Sequence, residues 1–339
     1  MKLRWLLWIF VVVFIWLIIS RFAELENLTK TLSQGRWEWI LLATILQIIY
    51  HALYASVYQS AFHAVDVQGT LLHIMALTFG AVFVNMIAPT AGSAAIAMYV
   101  NDAARRGQSP ARATAGTLLV SIADFCAFAF LLFLGIIYLF INHKLRFYEI
   151  TGATILLLLT SGQATMLVLG FWKPILLKRI LGLLERIVNR LTHWIRHTNI
   201  LSKGWSERSA SDFTDSAKNI GSHPKRLIRI MGFALAEQLA NMACLYTLFH
   251  AFQQPVGPGM LVAGYSMGIL FMNVSPIPQG IGVVEGTMAL VFTSLGVPSG
   301  AALVIIIAFR GLNLWLPLTV GFFLMRFVLS YNHQNVHKP

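Results

Sequence analysis

The sequence has few charged residues and few cysteines, and each shortage excludes a class of protein. Charged residues make up 11% of the 339 and hydrophobic residues 57%, with a mean hydropathy of +0.71. Because so little charge cannot cover the surface of a soluble domain of this size, the composition predicts a polytopic membrane protein. The two cysteines, Cys126 and Cys244, both lie in apolar runs, so we expect neither a disulfide framework nor a thiolate metal site.

Apolar stretches of about 20 residues, the length that spans a bilayer, recur along the chain. Six are long enough or nearly so: roughly 5–20, 37–58, 113–141, 150–172, 227–252 and 299–327. Two further apolar regions, 71–100 and 260–295, are interrupted by proline and glycine. We therefore predict an all-α membrane protein with about six full spans and two re-entrant helical hairpins.

One short pattern occurs in both interrupted regions. The first copy consists of Gly80, Phe83, Asn85 and Gly92. The second copy has the same residues at a constant offset: Gly268, Phe271, Asn273 and Gly280. Related halves that each carry a broken helix are typical of transporters built from inverted repeats. We predict a single membrane domain, 1–339, with repeats at about 37–141 and 227–327. The alternative is that the matches reflect only the packing that hairpins share.

The distribution of Lys and Arg predicts the orientation. The segment 173–229 carries 12 of the 25 basic residues against four acids, which favours the cytoplasm. Both termini are then cytoplasmic, and the two repeats are upside down relative to each other. Within this segment, 174–197 reads as a basic amphipathic helix on anionic inner-leaflet lipids, followed by a loop. This bias explains the net charge of +12 without a nucleic-acid partner.

The breaks in the two hairpins are candidate binding sites. Non-helical backbone at membrane depth is tolerated only against protein or around a wet cavity. Half-helices that start after Gly92 and Gly282 would direct their N–H groups inward, which suits an anionic group such as phosphate. We therefore select Asn85, Gly92, Asn273, Gly280 and Gly282 as candidate substrate-binding residues. The alternative is that these residues only let the hairpins pack closely.

Four ionisable residues within the apolar segments are further candidates, because burying charge in a membrane is costly. They are Asp124, Glu237, Glu285 and Arg310. Arg310 needs a counter-ion, for which Glu285 is best placed, and a purely structural pair is an equal alternative. Arg310 is also suited to a lipid phosphate. Asp124 and Glu237 are either functional, or neutral or bonded to a neighbouring helix.

The remaining polar residues give no indication of an enzyme. His51 and His250 are lone histidines near the ends of predicted helices, and we expect both to be structural. The sequence shows no His/Asp/Glu cluster, nucleophile–base pair or metal-ligand spacing. We therefore expect no catalytic residue, cofactor or metal.

These motifs resemble a known family. The segment 273–285 (NVSPIPQGIGVVE), followed by Arg310 and by Trp315-Leu-Pro317, is similar to the C-terminal signature of the lysylphosphatidylglycerol synthetase membrane-region, or flippase-like domain, family. The segments 85–92 and 106–109 and Asp124 match its earlier motif. The resemblance implies a lipid-handling membrane domain. In some members this domain moves aminoacylated phosphatidylglycerol between leaflets, and others are linked to hopanoid or other lipid transport.

Two departures from the family qualify the resemblance. Ser93 and Ser121 stand where family members often have an acid or glycine and an arginine, respectively. The second hairpin is therefore the stronger candidate for a retained site. Because the sequence ends at Pro339, we expect a stand-alone member without the soluble aminoacyltransferase domain.

The function that we predict is transfer of a lipid with a polar or anionic headgroup between the leaflets of a bacterial-type inner membrane, by a flippase or lipid transporter. The alternative is an ion-coupled secondary transporter of a small solute, in which Asp124, Glu237 and Glu285 act as coupling sites. A homo-oligomer is compatible with this function.

Overall fold

A computed structural model describes residues 35–87, 93–142, 224–275 and 277–334, together with isolated positions between 150 and 215. Within these residues all regular structure is helical. The continuous described ranges contain eight α-helices: α1 (Trp37–Ala64), α2 (Leu71–Ile87), α3 (Ser93–Arg105), α4 (Pro110–Ile141), α5 (Pro224–Ala251), α6 (Pro258–Val274), α7 (Val283–Ser294) and α8 (Ser299–Gln334). A short 3-10 turn, Pro278–Gly280, lies between α6 and α7.

Three segments in the described part of the chain are long and apolar enough to span a membrane: α1, α4 and the Ser299–Pro317 part of α8. Helix α5 is as long as α1, but its first two turns carry Lys225, Arg226 and Arg229, which lower its hydropathy. The structure thus agrees with an all-helical polytopic membrane protein. Apart from isolated positions, the predicted stretches 5–20, 150–172 and 174–197 lie outside the described residues.

Each interrupted region consists of two short helices that pack against each other, α2 with α3 and α6 with α7. As predicted, α7 begins directly after Gly282, whereas Gly92, before the first described residue of α3, lies outside the described residues. Between α6 and α7 the backbone turns at Gln279, Gly280 and Gly282, which have φ values of 55°, 60° and 84°. These left-handed values are incompatible with a continuous right-handed helix.

The end of α1 differs from the sequence prediction. The helix continues beyond residue 58 to Ala64, because Ala61 and Phe62 extend its buried face, and it ends before Asp66 at φ 57°. His51 therefore lies in the middle of α1, and the expectation that it is near a helix end is wrong. His250 does lie in the last turn of α5, where it stacks on Trp39 with ring centroids 5.0 Å apart.

Helices α1 and α5, the first helices of the two predicted repeats, pack more extensively than any other pair of the described helices. The amide N–H of Arg36 donates to the carbonyl of Ala251 at 3.0 Å, so the start of α1 meets the end of α5. At the opposite end, the Arg226 guanidinium donates to the carbonyl of His63 at 3.5 Å. The two helices are therefore antiparallel over their whole length.

The hairpins interlock with the opposite halves of the chain. The leading arm of the first hairpin, α2, packs on α8, and the leading arm of the second, α6, packs on α4. Helix α6 also lies close to α7, because Gly264 faces the ring of Phe292 and Gly268 faces Met288 with no room for a Cβ atom. The glycine of the repeated pattern at 268 thus serves close packing of the hairpin arms.

Candidate functional site

Arg310 of α8 holds the tip of the second hairpin. Its Nε–H donates to Oε1 of Glu285 at 2.8 Å, and one Nη–H donates to the carbonyl of Gln279 at 2.6 Å. A third, weaker contact joins its other Nη to the sulfur of Met272 at 3.9 Å. The Arg310 side chain is only 7% exposed, so this ion pair is largely removed from solvent and from lipid.

Glu285 links this arginine to the start of α7. While its Oε1 accepts from Arg310, its Oε2 accepts from the backbone N–H of Gly282 at 2.6 Å. A carboxylate at this position caps the helix and compensates the positive end of its dipole. The Glu285 side chain is 21% exposed, so it lies nearer to the surface of the tip than Arg310.

The other candidates of the second hairpin lie in different environments. Gly280 is buried, and a Cβ on it would lie 3.1 Å from Cα of Met272 and 2.7 Å from a methyl group of Val284. Gly282 is exposed with open space around its Cα. Asn273 is exposed, and its side chain donates to the carbonyl of Ile269 on its own helix at 3.0 Å.

The first hairpin is described only in its arms. Gly92 lies outside the described residues; Asn85 lies in α2, but its side chain is not among those described. Helix α2 contacts the 3-10 turn of the second hairpin, so the first hairpin reaches the tip that Arg310 holds. The roles selected for Asn85 and Gly92 stay predictions.

A hydrogen-bonded network of uncharged side chains connects three helices in the core. The hydroxyl of Tyr265 on α6 donates to the amide oxygen of Gln238 on α5 at 2.7 Å and accepts from the amide of Asn241 at 3.2 Å. Asn241 in turn accepts from Asn313 of α8 at 2.8 Å. Since buried hydrogen-bonded groups favour a single arrangement of the helices around them, this network fixes α5, α6 and α8 relative to one another.

A second set of buried polar side chains lies beside this network and contains atoms without hydrogen-bond partners. Asp124 of α4 and Glu237 of α5 are close enough to interact electrostatically, and each has one carboxyl oxygen without a hydrogen-bond partner. Glu237 is 2% exposed. On α1, both polar atoms of the Gln47 amide and both ring nitrogens of His51 are also unpartnered, at 0% and 3% exposure. Each orphaned group costs about 1–3 kcal/mol unless a ligand, ion or water satisfies it.

One family comparison bears on these sites. The family described as "Lysylphosphatidylglycerol synthase TM region" matches residues 5–321 of the 339. The chain belongs to this family. No match was found among proteins with curated functions. Membership indicates a membrane protein with a function related to membrane lipid, and the match includes both hairpins and every candidate residue selected above.

Within this family member, the structure brings together only some of the predicted residues. Glu285 and Arg310 form the expected ion pair, and Asp124 and Glu237 interact electrostatically with each other. The sequence reasoning did not select Tyr265 or the polar groups of α1. Gln47 and Gln238 carried the available signal, because a glutamine in the middle of an apolar predicted span has to be satisfied or used.

Proposed function

We propose that the protein moves a lipid with a polar or anionic headgroup between the two leaflets, as a flippase or lipid transporter. The observation that carries this proposal is the broken tip of the second hairpin, which is held by a buried arginine and contacted by the first hairpin. Broken helices that meet inside a bundle commonly form the substrate sites of transporters. Membership of a family related to membrane lipid supports a lipid as the substrate.

For the topology, we propose about six full spans and two re-entrant hairpins, arranged as an inverted repeat. Two repeats related by a two-fold axis in the membrane plane must have antiparallel equivalent helices, and α1 and α5 are antiparallel. The same axis exchanges the contact of α2 with α8 and the contact of α6 with α4. In this topology both termini are on the cytoplasmic side of a bacterial-type inner membrane, and 174–197 binds its anionic lipids.

Arg310 is the residue that we propose for contact with the lipid phosphate. Its guanidinium has five N–H groups, and three of them contact Glu285, Gln279 and Met272. At most two are left for a ligand. The headgroup would therefore bind at the edge of an arginine that is already fixed in place, which lowers the entropic cost of binding. In this proposal the protein moves lipid without modifying it chemically, so it is not an enzyme.

Liposomes test this function. The purified full-length protein is reconstituted with fluorescent phosphatidylglycerol, and an impermeant quencher is added outside. Transport predicts loss of fluorescence beyond the half that protein-free liposomes lose. Uptake of a small solute without movement of the labelled lipid would select the alternative carrier function.

Two glycine variants make the test specific to the hairpin tip. Gly280→Val should slow lipid movement, because Gly280 has a positive φ and faces the backbone of Met272. Gly286→Val is the matched control, since Gly286 lies in α7 with no atom near its missing Cβ. Equal lipid movement in both folded variants would contradict a role for the tip.

A further inference from the structure

The two carboxyl groups of Asp124 and Glu237 lack a basic partner among the described ion pairs. Those ion pairs join Arg36 with Glu38, Arg310 with Glu285, and Asp102 with His73 and Arg106. Asp124 and Glu237 interact electrostatically with each other, and each has an unpartnered buried oxygen. Buried polar groups of this kind require a proton, an ion, a ligand or water as a partner.

The groups that face this acid pair from the surrounding helices are uncharged hydroxyl, amide, imidazole and thiol groups. Tyr50, Tyr54 and Tyr58 of α1 and Tyr99 of α3 interact electrostatically with one or both acids. Tyr265 of α6 interacts electrostatically with Glu237 and Cys244 of α5. Asn313 of α8 is linked to the same region by its hydrogen bond to Asn241. Gln47 and His51 lie one turn apart on the buried face of α1, and the His51 ring meets the ring of Tyr50 edge-on with centroids 4.9 Å apart.

Two neighbouring carboxylates that are surrounded by uncharged groups disfavour double ionisation, because each charge loses bulk hydration and repels the other. A proton resolves this conflict with the smallest ligand, since it neutralises one acid and lets it donate a hydrogen bond to the other. A metal cation would need several further oxygen ligands. We propose that Asp124 and Glu237 form a proton-binding site that couples lipid movement to a pH gradient. The coupling rests on the proposed transport function; the shared proton does not.

A row of tyrosine side chains extends from the neighbourhood of this site toward one end of the bundle. The Tyr58 ring meets the ring of Tyr54 edge-on, with centroids 5.3 Å apart, and stacks on the ring of Tyr99 at 4.3 Å. The Tyr99 hydroxyl donates to Thr78 at 3.0 Å, and Thr78 donates to the carbonyl of Ile74 near the start of α2. Because a hydroxyl both donates and accepts a hydrogen bond, such a row can pass a proton. It leads toward the connection between α1 and α2, which is cytoplasmic in the proposed topology.

Infrared spectroscopy tests the shared proton independently of transport. At neutral pH, the purified full-length protein should show the C=O stretching band of a protonated carboxylic acid, and the double variant Asp124→Asn/Glu237→Gln should lack it. Asp102→Asn is the matched control, because Asp102 is paired with Arg106 and should contribute no such band. If the double variant is not recovered folded, each single variant should shift the band. A folded wild-type protein without the band, or a band that Na⁺ abolishes at constant pH, would overturn the proposal.

Liposomes with a pH gradient test the coupling. With fluorescent phosphatidylglycerol as the probe, a gradient of about one pH unit should bias its distribution between leaflets by about tenfold if one proton moves per lipid. The double variant should lose this bias. Lipid movement in the wild type that does not depend on the pH gradient would refute the coupling and leave the transport function intact. A carboxylic acid band without any lipid movement would instead refute the transport function.

The tyrosine row has its own comparison. Tyr58→Phe removes the central hydroxyl, so the response to a sudden change of cytoplasmic-side pH should become slower while the infrared band is retained. Tyr246→Phe is the matched control, because Tyr246 lies on the exposed side of α5 and packs on His250. Equal response rates in the two folded variants would exclude the row as the proton path.

Discussion

Removing either residue of the Glu285–Arg310 ion pair should strongly destabilise the protein. In Glu285→Gln the positive charge of Arg310 is stranded at 7% side-chain exposure, and breaking a buried pair in this way costs about 3–5 kcal/mol. In Arg310→Gln the remaining carboxylate is 21% exposed and keeps the N–H of Gly282. The loss is then that of the two charged hydrogen bonds from the arginine to Glu285 and Gln279, at about 1.5–3 kcal/mol each, so the two single losses should be of similar size.

The double variant Glu285→Gln/Arg310→Gln separates a true pair from two independent sites. Since neither charge is stranded in it, its loss of unfolding free energy should be smaller than the sum of the single losses by about 1–3 kcal/mol. Lipid movement should stay impaired, because the proposed phosphate contact of Arg310 is absent. Recovery of lipid movement along with stability would make the pair structural only.

Reversible unfolding of the purified variants in detergent, followed by helix circular dichroism against denaturant, gives the four free energies. The midpoint and the slope are both needed, because a changed slope would indicate a changed unfolded or folded state. Losses that add to within about 0.5 kcal/mol would refute the reasoning, since they would mean that the two side chains do not act on each other.

Three further predictions use other features. Gly280→Val should lower the unfolding free energy by about 1–3 kcal/mol because of its positive φ, whereas Gly286→Val should lower it less, by the same denaturation assay. Tyr265→Phe leaves Gln238 without its donor and should cost about 1–3 kcal/mol by that assay; an unchanged value would show that water replaces the hydroxyl. In intact cells, a single cysteine at position 211 should be protected from an impermeant thiol reagent, and a single cysteine at position 142 should react with it. The reverse pattern would contradict the proposed orientation.

Hydropathy and helix-breaking residues predicted the parts of this fold that depend on local chemistry. The start of α7 follows from Gly282 and the prolines before it, and the partnership of Glu285 with Arg310 follows from two charges in apolar segments. Both signals are strong because the alternatives, a helix through proline or a lone buried charge, are costly.

The sequence did not predict features that depend on contacts between distant helices. Tyrosine and asparagine fit many environments, so nothing local distinguished Tyr265 and Asn313, which join a network across α5, α6 and α8. The end of α1 was missed for a related reason. The stretch 59–64 is less apolar than the preceding span, yet it stays helical because Ala61 and Phe62 pack into the core.

The contact between α2 and α8 has a consequence for biosynthesis. The last residue of α2 and the first of α8 are separated by more than 200 positions, so the ribosome makes the first hairpin long before its partner helix. At about 5–20 residues per second, this interval lasts roughly 10–40 s. During that time the first hairpin has to remain at the membrane with its α8-facing surface uncovered, in contact with lipid or with the insertion machinery. Completion of the native core is therefore a late, post-insertion event.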